Sequence, residues 1–302
     1  MMTKAFIIFC ILLPIIGTIN GFIVDKKPHE TPCKRIPPRD KGNDTFTPYI
    51  LNGQPADIRN YPFKLSLHIF ERFECSASII SPIWSLTAGH CVESRISPEY
   101  ITLIGGTSNR VVGGYLFNVE IYHIHPNYNP VTLDCDAAVM RIRGVFWGIP
   151  NIRPVILANE ACRTYAGSVV KLAGWGLNEV GQYPHDLYEI HQEIIDNDSC
   201  YLNWGGDITD RMLCAAVENE VDSCSGKLKF YQLNLSIDIV YIYHFFIIFY
   251  IGDSGGAVLQ FGCLQVGIIS FGSNICGYPI PSVFTRIENP MIRGFIRYYT
   301  GV

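Results

Sequence analysis

The order of two short segments limits this chain more than any other feature. Thr87-Ala88-Gly89-His90-Cys91 ties a histidine to a cysteine, and Gly252-Asp253-Ser254-Gly255-Gly256 places a serine in a glycine turn. A serine hydroxyl becomes a nucleophile only beside a base, so the two segments read as one site. Gly252-x-Ser254-x-Gly256 also fits the strand-turn-helix elbow of α/β-hydrolases, but there the histidine follows the serine. Here the last histidine is His244, ahead of Ser254, and the α/β elbow is excluded. The remaining order is histidine, then an aspartate, then serine. Asp134 and Asp136 both stand at the middle position, and the Ala138-Val139 core residues beside it favour Asp136.

Short apolar runs punctuated by Gly, Pro and Asn fill the chain from Ile50 onward. Leu65–Ile69 alternates as a half-buried strand does, and Ser78–Thr87, Tyr100–Ile104, Val119–Ile124 and Val169–Ala173 read similarly. Many short strands of this kind predict β-barrels. Asn289–Thr300 departs from the pattern: Met291, Ile292, Phe295, Ile296 and Tyr299 recur at helical spacing.

From Ile50 to the C-terminus the chain resembles the chymotrypsin/trypsin-like (S1) serine proteases. Ile50-Leu51-Asn52-Gly53 is similar to the new N-terminus of an activated protease, and Trp84–Cys91 to the histidine segment, with Gly89 where alanine is usual. Asp136-Ala137-Ala138-Val139, Gly174-Trp175-Gly176, Met212-Leu213-Cys214-Ala215, Ser270-Phe271-Gly272 and Pro281–Arg286 follow in family order, with Phe271 in place of the usual tryptophan. The resemblance implies an all-β fold of two six-stranded antiparallel Greek-key barrels with a C-terminal α-helix and the active site between the barrels. It implies Ser254 as nucleophile, His90 as base, Asp136 as its orienting partner, and the Gly252 and Ser254 N–H groups as the oxyanion hole. Asp222 would stand at the base of the specificity pocket and select Arg or Lys, with Gly272 and Ser282 as its walls. Ser282 replaces a glycine common in trypsins and narrows the pocket, leaving an altered preference as the alternative. Asp253 would pair with the α-ammonium freed by cleavage before Ile50. The same resemblance pairs Cys75 with Cys91, Cys200 with Cys214 and Cys224 with Cys276.

The termini and cysteines agree with an exported protein. Met1–Gly21 carries Lys4 and then an apolar run from Ala5 to Ile16, which reads as a cleaved secretory signal, with a signal anchor as the alternative. Residues 22–49 are polar and rich in Pro and Lys, as a propeptide or linker is. Residues 50–302 form the protease-like domain. Of eleven cysteines, Cys10 falls in the signal, so the rest are even in number and disulfides are expected in an oxidising compartment. Cys33, Cys135, Cys162 and Cys263 have no assigned partner, and a tether from Cys33 to one of the others is one arrangement. Asn43, Asn197 and Asn234 open glycosylation sequons. Tyr49, not Arg or Lys, precedes Ile50, so an activating protease with aromatic preference cuts there, or processing starts elsewhere. A net charge of −4 offers no basic surface for nucleic acid. Protein or peptide substrates and protein inhibitors are the expected partners; no metal, no cofactor and no stable membrane span are expected.

One segment breaks the family pattern. Asp222-Ser223-Cys224-Ser225-Gly226 should run directly into Asp253-Ser254, yet residues 227–251 intervene. These 25 residues contain no Gly, Ala, Arg or Pro, and 20 of them are Phe, Tyr, Asn, Ile, Lys or Leu, all available from AT-rich codons. Gly226-Lys227 and Tyr250-Ile251-Gly252 are encodable as a splice donor and acceptor. The segment therefore reads as a retained in-frame intron of 26 codons. The alternatives are a true inserted loop, or a span over Leu233–Ile251 that Asp238 and His244 make costly. In either case the short covalent link between the pocket and the nucleophile is lost.

Overall fold

The computed structural model describes residues 53–94, 96–176, 183–204, 208–216, 252–272 and 281–302, all within the compact unit Arg35–Val302. Ile50, Asp222, Cys224, Cys276 and Cys33 lie outside the described residues, as do the expected signal, propeptide and 227–251 segment.

The first barrel closes from six strands: β2 (Lys64–Ile69), β3 (Arg72–Ile79), β4 (Trp84–Thr87), β5 (Ile101–Gly105), β6 (Tyr115–Ile124) and β7 (Ala138–Ile142). They run β2-β3-β4-β7-β6-β5 around the barrel, all antiparallel, and β5 returns to β2. The second barrel uses β9 (Val169–Gly174), β10 (Tyr188–Ile195), β11 (Met212–Ala216), β12 (Ala257–Gln260), β13 (Leu264–Phe271) and β14 (Ser282–Arg286). Its order is β9-β10-β11-β14-β13-β12, with β12 back on β9, which repeats the order of the first barrel. β1 (Gln54–Pro55) extends β10, and β8 (Ile156–Leu157) lies parallel to β13. Each of the six strands in either barrel is paired on both sides, and β1 and β8 add short pairings where strands of the second barrel run past their neighbours.

Two strand expectations are corrected. Ser78–Thr87 is not one strand: Ser81-Pro82 turns the chain between β3 and β4, and the Ser81 hydroxyl accepts the Trp84 N–H at 3.1 Å. β2 alternates in polarity but is buried on both faces. Leu65, Leu67 and Ile69 fill the barrel, whereas Lys64, Ser66 and His68 lie on the other face, where Lys64 Nζ sits 4.9 Å from the Trp175 ring at the end of β9. A polar face is legible in the sequence; its being covered is not.

The C-terminal helix is as expected. α2 (Pro290–Thr300) follows α1 (Asn197–Trp204) and is capped by Asn289, whose side chain accepts the Met291 N–H. Proline at its first position fits the fixed φ there, and Gly301 (φ 74°) ends it in the left-handed region. Ile292, Phe295 and Ile296 are buried, Tyr299 stacks on His123 with ring centroids 4.0 Å apart, and Met291 is exposed. No helix among the described residues is long and apolar enough to cross a membrane.

His125, beneath α2, links packing to pH. It is 3% exposed, packs on Phe295, and its Nδ1 accepts the Asn127 N–H at 3.1 Å, so the neutral ring is the one that fits. Burial, the largest cause, lowers its pKa, and it does the same for His68, His123 and His191. Each therefore takes up its proton in the unfolded chain, near pH 6.5, before it does so in the folded one. The stability they contribute is complete above that pH and is lost as pH falls from 6.5 through the lower folded values. The thermal midpoint is expected to fall steadily between pH 7.5 and 5, and His125→Gln to make that fall shallower.

Candidate active site

His90 opens a single helical turn directly after β4, and Cys91 beside it is bonded to Cys75 of β3 (S–S 2.05 Å). The bridge therefore ties the histidine turn to the barrel wall. Asp136 comes from the loop ahead of β7 and is fully buried. Its Oδ2 lies 2.8 Å from His90 Nδ1, and its Oδ1 accepts the His90 backbone N–H at 2.9 Å. Burial alone would raise the Asp136 pKa, but the His90 charge and the hydrogen bonds from His90 and Ser270 outweigh it, and the net shift is downward. An ionised carboxylate only accepts, so Nδ1 carries a proton, and in the neutral ring that tautomer leaves the lone pair on Nε2. At Gly89, where alanine is usual, a Cβ would stand 3.2 Å from Asp136 Oδ1 and 3.3 Å from the Tyr128 ring, a tight fit that needs those neighbours to give slightly.

The second barrel holds Asp136 as well. The Ser270 hydroxyl donates to Asp136 Oδ2 at 2.5 Å, and Thr285 Oγ1 donates to the Asp136 carbonyl at 2.7 Å. The competing Asp134 faces elsewhere: Arg211 Nε and Nη2 bind its carboxylate at 2.9 and 2.6 Å, and Thr209 donates to it at 2.9 Å. Ser270 belongs to a family motif, but the sequence gives it no role; its place beside Asp136 comes from the packing of the second barrel on the first.

Ser254 is buried in a turn braced by both barrels. Its carbonyl accepts the Ser76 N–H of β3 at 2.8 Å, and the Gly255 N–H donates to the Ile269 carbonyl of β13 at 2.7 Å. Gly255 (φ 80°) lies against Thr87 and Ala88, which brings the serine turn to the histidine segment, and a Cβ there would strike Thr87 Oγ1. Gly174 and Gly176 are glycines for the same kind of reason: a Cβ on either would run into the Asp253 carboxylate. The Gly176 N–H donates to Asp253 Oδ1 at 2.9 Å.

The Gly252 N–H, expected in the oxyanion hole, is bound within the protein here. The Gly252 N–H donates to the Glu74 carbonyl at 3.2 Å, so it is not available to a substrate oxygen. The Gly252 carbonyl accepts the Ser76 hydroxyl at 2.8 Å, and Ser76 Oγ in turn accepts from Lys64 Nζ at 3.0 Å. Lys64, which no sequence motif singles out, is buried against Asp253. Burial pushes its ammonium down to about 8 against the pull of the Asp253 carboxylate. Burial also raises the Asp253 pKa, opposed by the Lys64 charge and the backbone N–H groups of Gly176 and Trp175.

Around the expected pocket, Ser282 Oγ accepts Gln192 Nε2 at 2.9 Å, and Phe271 meets Trp204 edge to face at 5.0 Å, ahead of the buried Gly272. Cys200 and Cys214 are bridged (S–S 1.98 Å) as expected. Cys162 is also disulfide-bonded, whereas Cys135 and Cys263 are free thiols, which corrects the even-count expectation. Cys135 is walled into the core beside Met291 Sδ, 3.8 Å away, and Cys263 sits in an exposed turn. Cys75, His90 and Cys91 cluster as metal donors would, but both sulfurs are consumed in the disulfide.

Comparison with known proteins agrees with this fold. The trypsin family model matches residues 50–227, ending at the first residue of the anomalous segment. Trypsin 5G1 of Aedes aegypti is 27% identical over 84% of this chain and 85% of its own length. Trypsin Blo t 3 of Blomia tropicalis is 29% identical over 80% and 83%. Transmembrane protease serine 11G of Rattus norvegicus is 28% identical over 84% of this chain but 56% of its own length. Among solved structures, the scabies mite inactivated protease paralogue S-D1 shares the fold, with a TM-score of 0.64 at 23% identity over 83% of this chain and 97% of that one. With two closed barrels of the same strand order and a family match over more than half its length, the chain belongs to the trypsin family.

Proposed function

We propose that this chain is the precursor of a secreted serine endopeptidase that cleaves peptide bonds through an acyl-enzyme. The observation that carries this reading is the His90–Asp136 pair, held from both barrels beside the turn of Ser254. Ser254 Oγ attacks the substrate carbonyl carbon while His90 Nε2 takes its proton. His90 then returns that proton to the leaving amine, and water releases the acyl group by the same steps. Asp136 holds the imidazole in this tautomer and stabilises the imidazolium. Asp222 favours Arg or Lys in the pocket through a charge-assisted bond, with Ser282 reducing the space beside it. Residues 1–21 direct secretion, 22–49 form the propeptide, and a protease accepting Tyr49 cuts before Ile50. The oxyanion hole of Gly252 and Ser254 then forms as the Asp253 carboxylate takes the new α-ammonium.

In the chain as written, residues 227–251 separate Cys224 from the nucleophile turn, and the Gly252 N–H is bound to Glu74. That observation favours a second reading for this form: a non-catalytic homologue that binds partners. An organofluorophosphonate separates the two. Once cut before Ile50, the chain lacking the 26 inserted residues is expected to be labelled at Ser254. Ser254→Ala abolishes the labelling, and the chain as written reacts at least about 10²-fold more slowly, the cost of one missing oxyanion donor. If the cut, segment-free chain takes no label, the binding reading replaces the protease reading.

A further inference from the structure

An amide, a thiol and a thioether meet where the first turn of α2 lies on the loop that carries Asp136. Asn127 Nδ2 donates to Met291 Sδ at 3.5 Å, and the Cys135 thiol donates to the same sulfur at 3.8 Å. The Met291 backbone is fixed, because its N–H donates at 3.0 Å to the Asn289 side chain that caps the helix. Cys135 is fixed as well. Its N–H donates to Asp134 Oδ1 at 3.0 Å, and Asp134 is itself clamped by Arg211. Its φ of 55° lies in the left-handed region, which is uncommon for a residue with a Cβ. Across that turn the Cys135 thiol faces Met291 while the next residue, Asp136, faces His90.

The two sulfurs differ in what can reach them. Cys135 is 2% exposed, and burial, with the Asp134 charge beside it, pushes its thiol up to about 11, so it stays an inert S–H. Met291 is 44% exposed, and a thioether needs no deprotonation to be oxidised. Met140 and Met212, the other methionines among the described residues, are 0% and 2% exposed. A thioether sulfur is a weak acceptor, whereas the oxygen of a sulfoxide is polar and calls for donors. Two donors already stand at this sulfur.

We propose that Met291 is an oxidation site for peroxides, and that Asn127 and Cys135 receive the oxygen it gains. The sulfur lone pair attacks one oxygen of hydrogen peroxide. An S–O bond forms, the O–O bond breaks, and the other oxygen leaves as water with both protons. Sulfur is oxidised by two electrons and the peroxide is reduced by the same two. The sulfoxide oxygen then accepts from the Asn127 amide and the Cys135 S–H, so the contact between α2 and the Asp136 loop is kept. No step of peptide hydrolysis uses Met291, and the site stands or falls without the protease reading.

The test treats the full chain with hydrogen peroxide and maps the products by peptide mass. Met291 is expected to gain one oxygen at least about tenfold faster than Met140 and Met212, which are reached only when the fold opens. Cys135 is expected to remain a thiol that alkylates after unfolding. Thermal melting tests the two donors. Oxidised wild type is expected to melt close to the untreated chain. The Asn127→Ala, Cys135→Ala double variant is expected to drop on oxidation by about 3–6 °C more than wild type, the effect of a sulfoxide without its donors. Asn127→Ala alone, at an exposed position, is expected to show part of that extra drop and serves if the double variant does not fold. Met291→Leu, which keeps an apolar side chain, is expected to take up no oxygen at that position. Equal oxidation of the three methionines overturns the site. An equal drop on oxidation in wild type and in the donor variants overturns the role of Asn127 and Cys135.

Discussion

Asp136→Asn, made in the chain lacking the inserted segment and cut before Ile50, is expected to lose about 10⁴-fold in kcat while melting cooperatively. The reason lies in the proton on Nδ1. The carboxylate accepts from His90 Nδ1 at 2.8 Å and from Ser270 at 2.5 Å. An amide in the same place can turn its NH₂ toward the imidazole, which then presents a lone pair at Nδ1 and a proton at Nε2, the wrong tautomer for a base facing Ser254. Loss of kcat with little change in KM for a basic-residue ester is the signature of that error, because the substrate does not touch Asp136. A variant that loses mainly KM would move Asp136 from the catalytic apparatus to the pocket. Asp134→Asn, which disturbs the Arg211 pair, is the matched control and is expected to leave kcat within a few-fold.

Deleting residues 227–252 while keeping Gly226 is the second large effect. It restores Cys224-Ser225-Gly226-Asp253-Ser254 and is expected to raise turnover of a basic-residue ester by at least about 10²–10³-fold over the chain as written, once both are cut before Ile50. The physical cause is positional. An oxyanion donor works only when its N–H is held in place before the reaction, and here the Gly252 N–H is held on Glu74 instead. Equal turnover by the two forms would show that the insertion leaves the site untouched and is a tolerated loop. Sequencing transcripts across Gly226–Gly252 beside the genomic locus tells whether cells make the long form.

Much of the fold and site is legible in one dimension, and the exceptions share a cause. The chain order His90, Asp136, Ser254 is enough by itself to exclude the hydrolase elbow, and the helical stripe of α2 holds apart from exposed Met291. Ser78–Thr87 reads as one strand because Ser81-Pro82 is short and apolar residues flank it. Lys64 draws no notice in the sequence because, with Ser66 and His68, it sits on alternate positions as a solvated face does. Only the packing of the second barrel shows that face to be covered. Cysteine parity predicts full pairing, yet a count carries no geometry: Cys135 and Cys263 end in places no other described cysteine reaches. Asp222, Ile50 and the Cys224–Cys276 pair remain readings from the sequence.

Asp136 belongs to one barrel, but two hydroxyls of the other grip it: Ser270 on the carboxylate and Thr285 on the carbonyl. The residue that aligns the histidine is therefore also a fastener between the halves of the molecule. A change that lets the barrels drift apart would loosen these two bonds and with them the alignment of His90. Reactivity in such an architecture gauges how tightly the two halves are seated, and selection for a working histidine is at the same time selection for a closed seam.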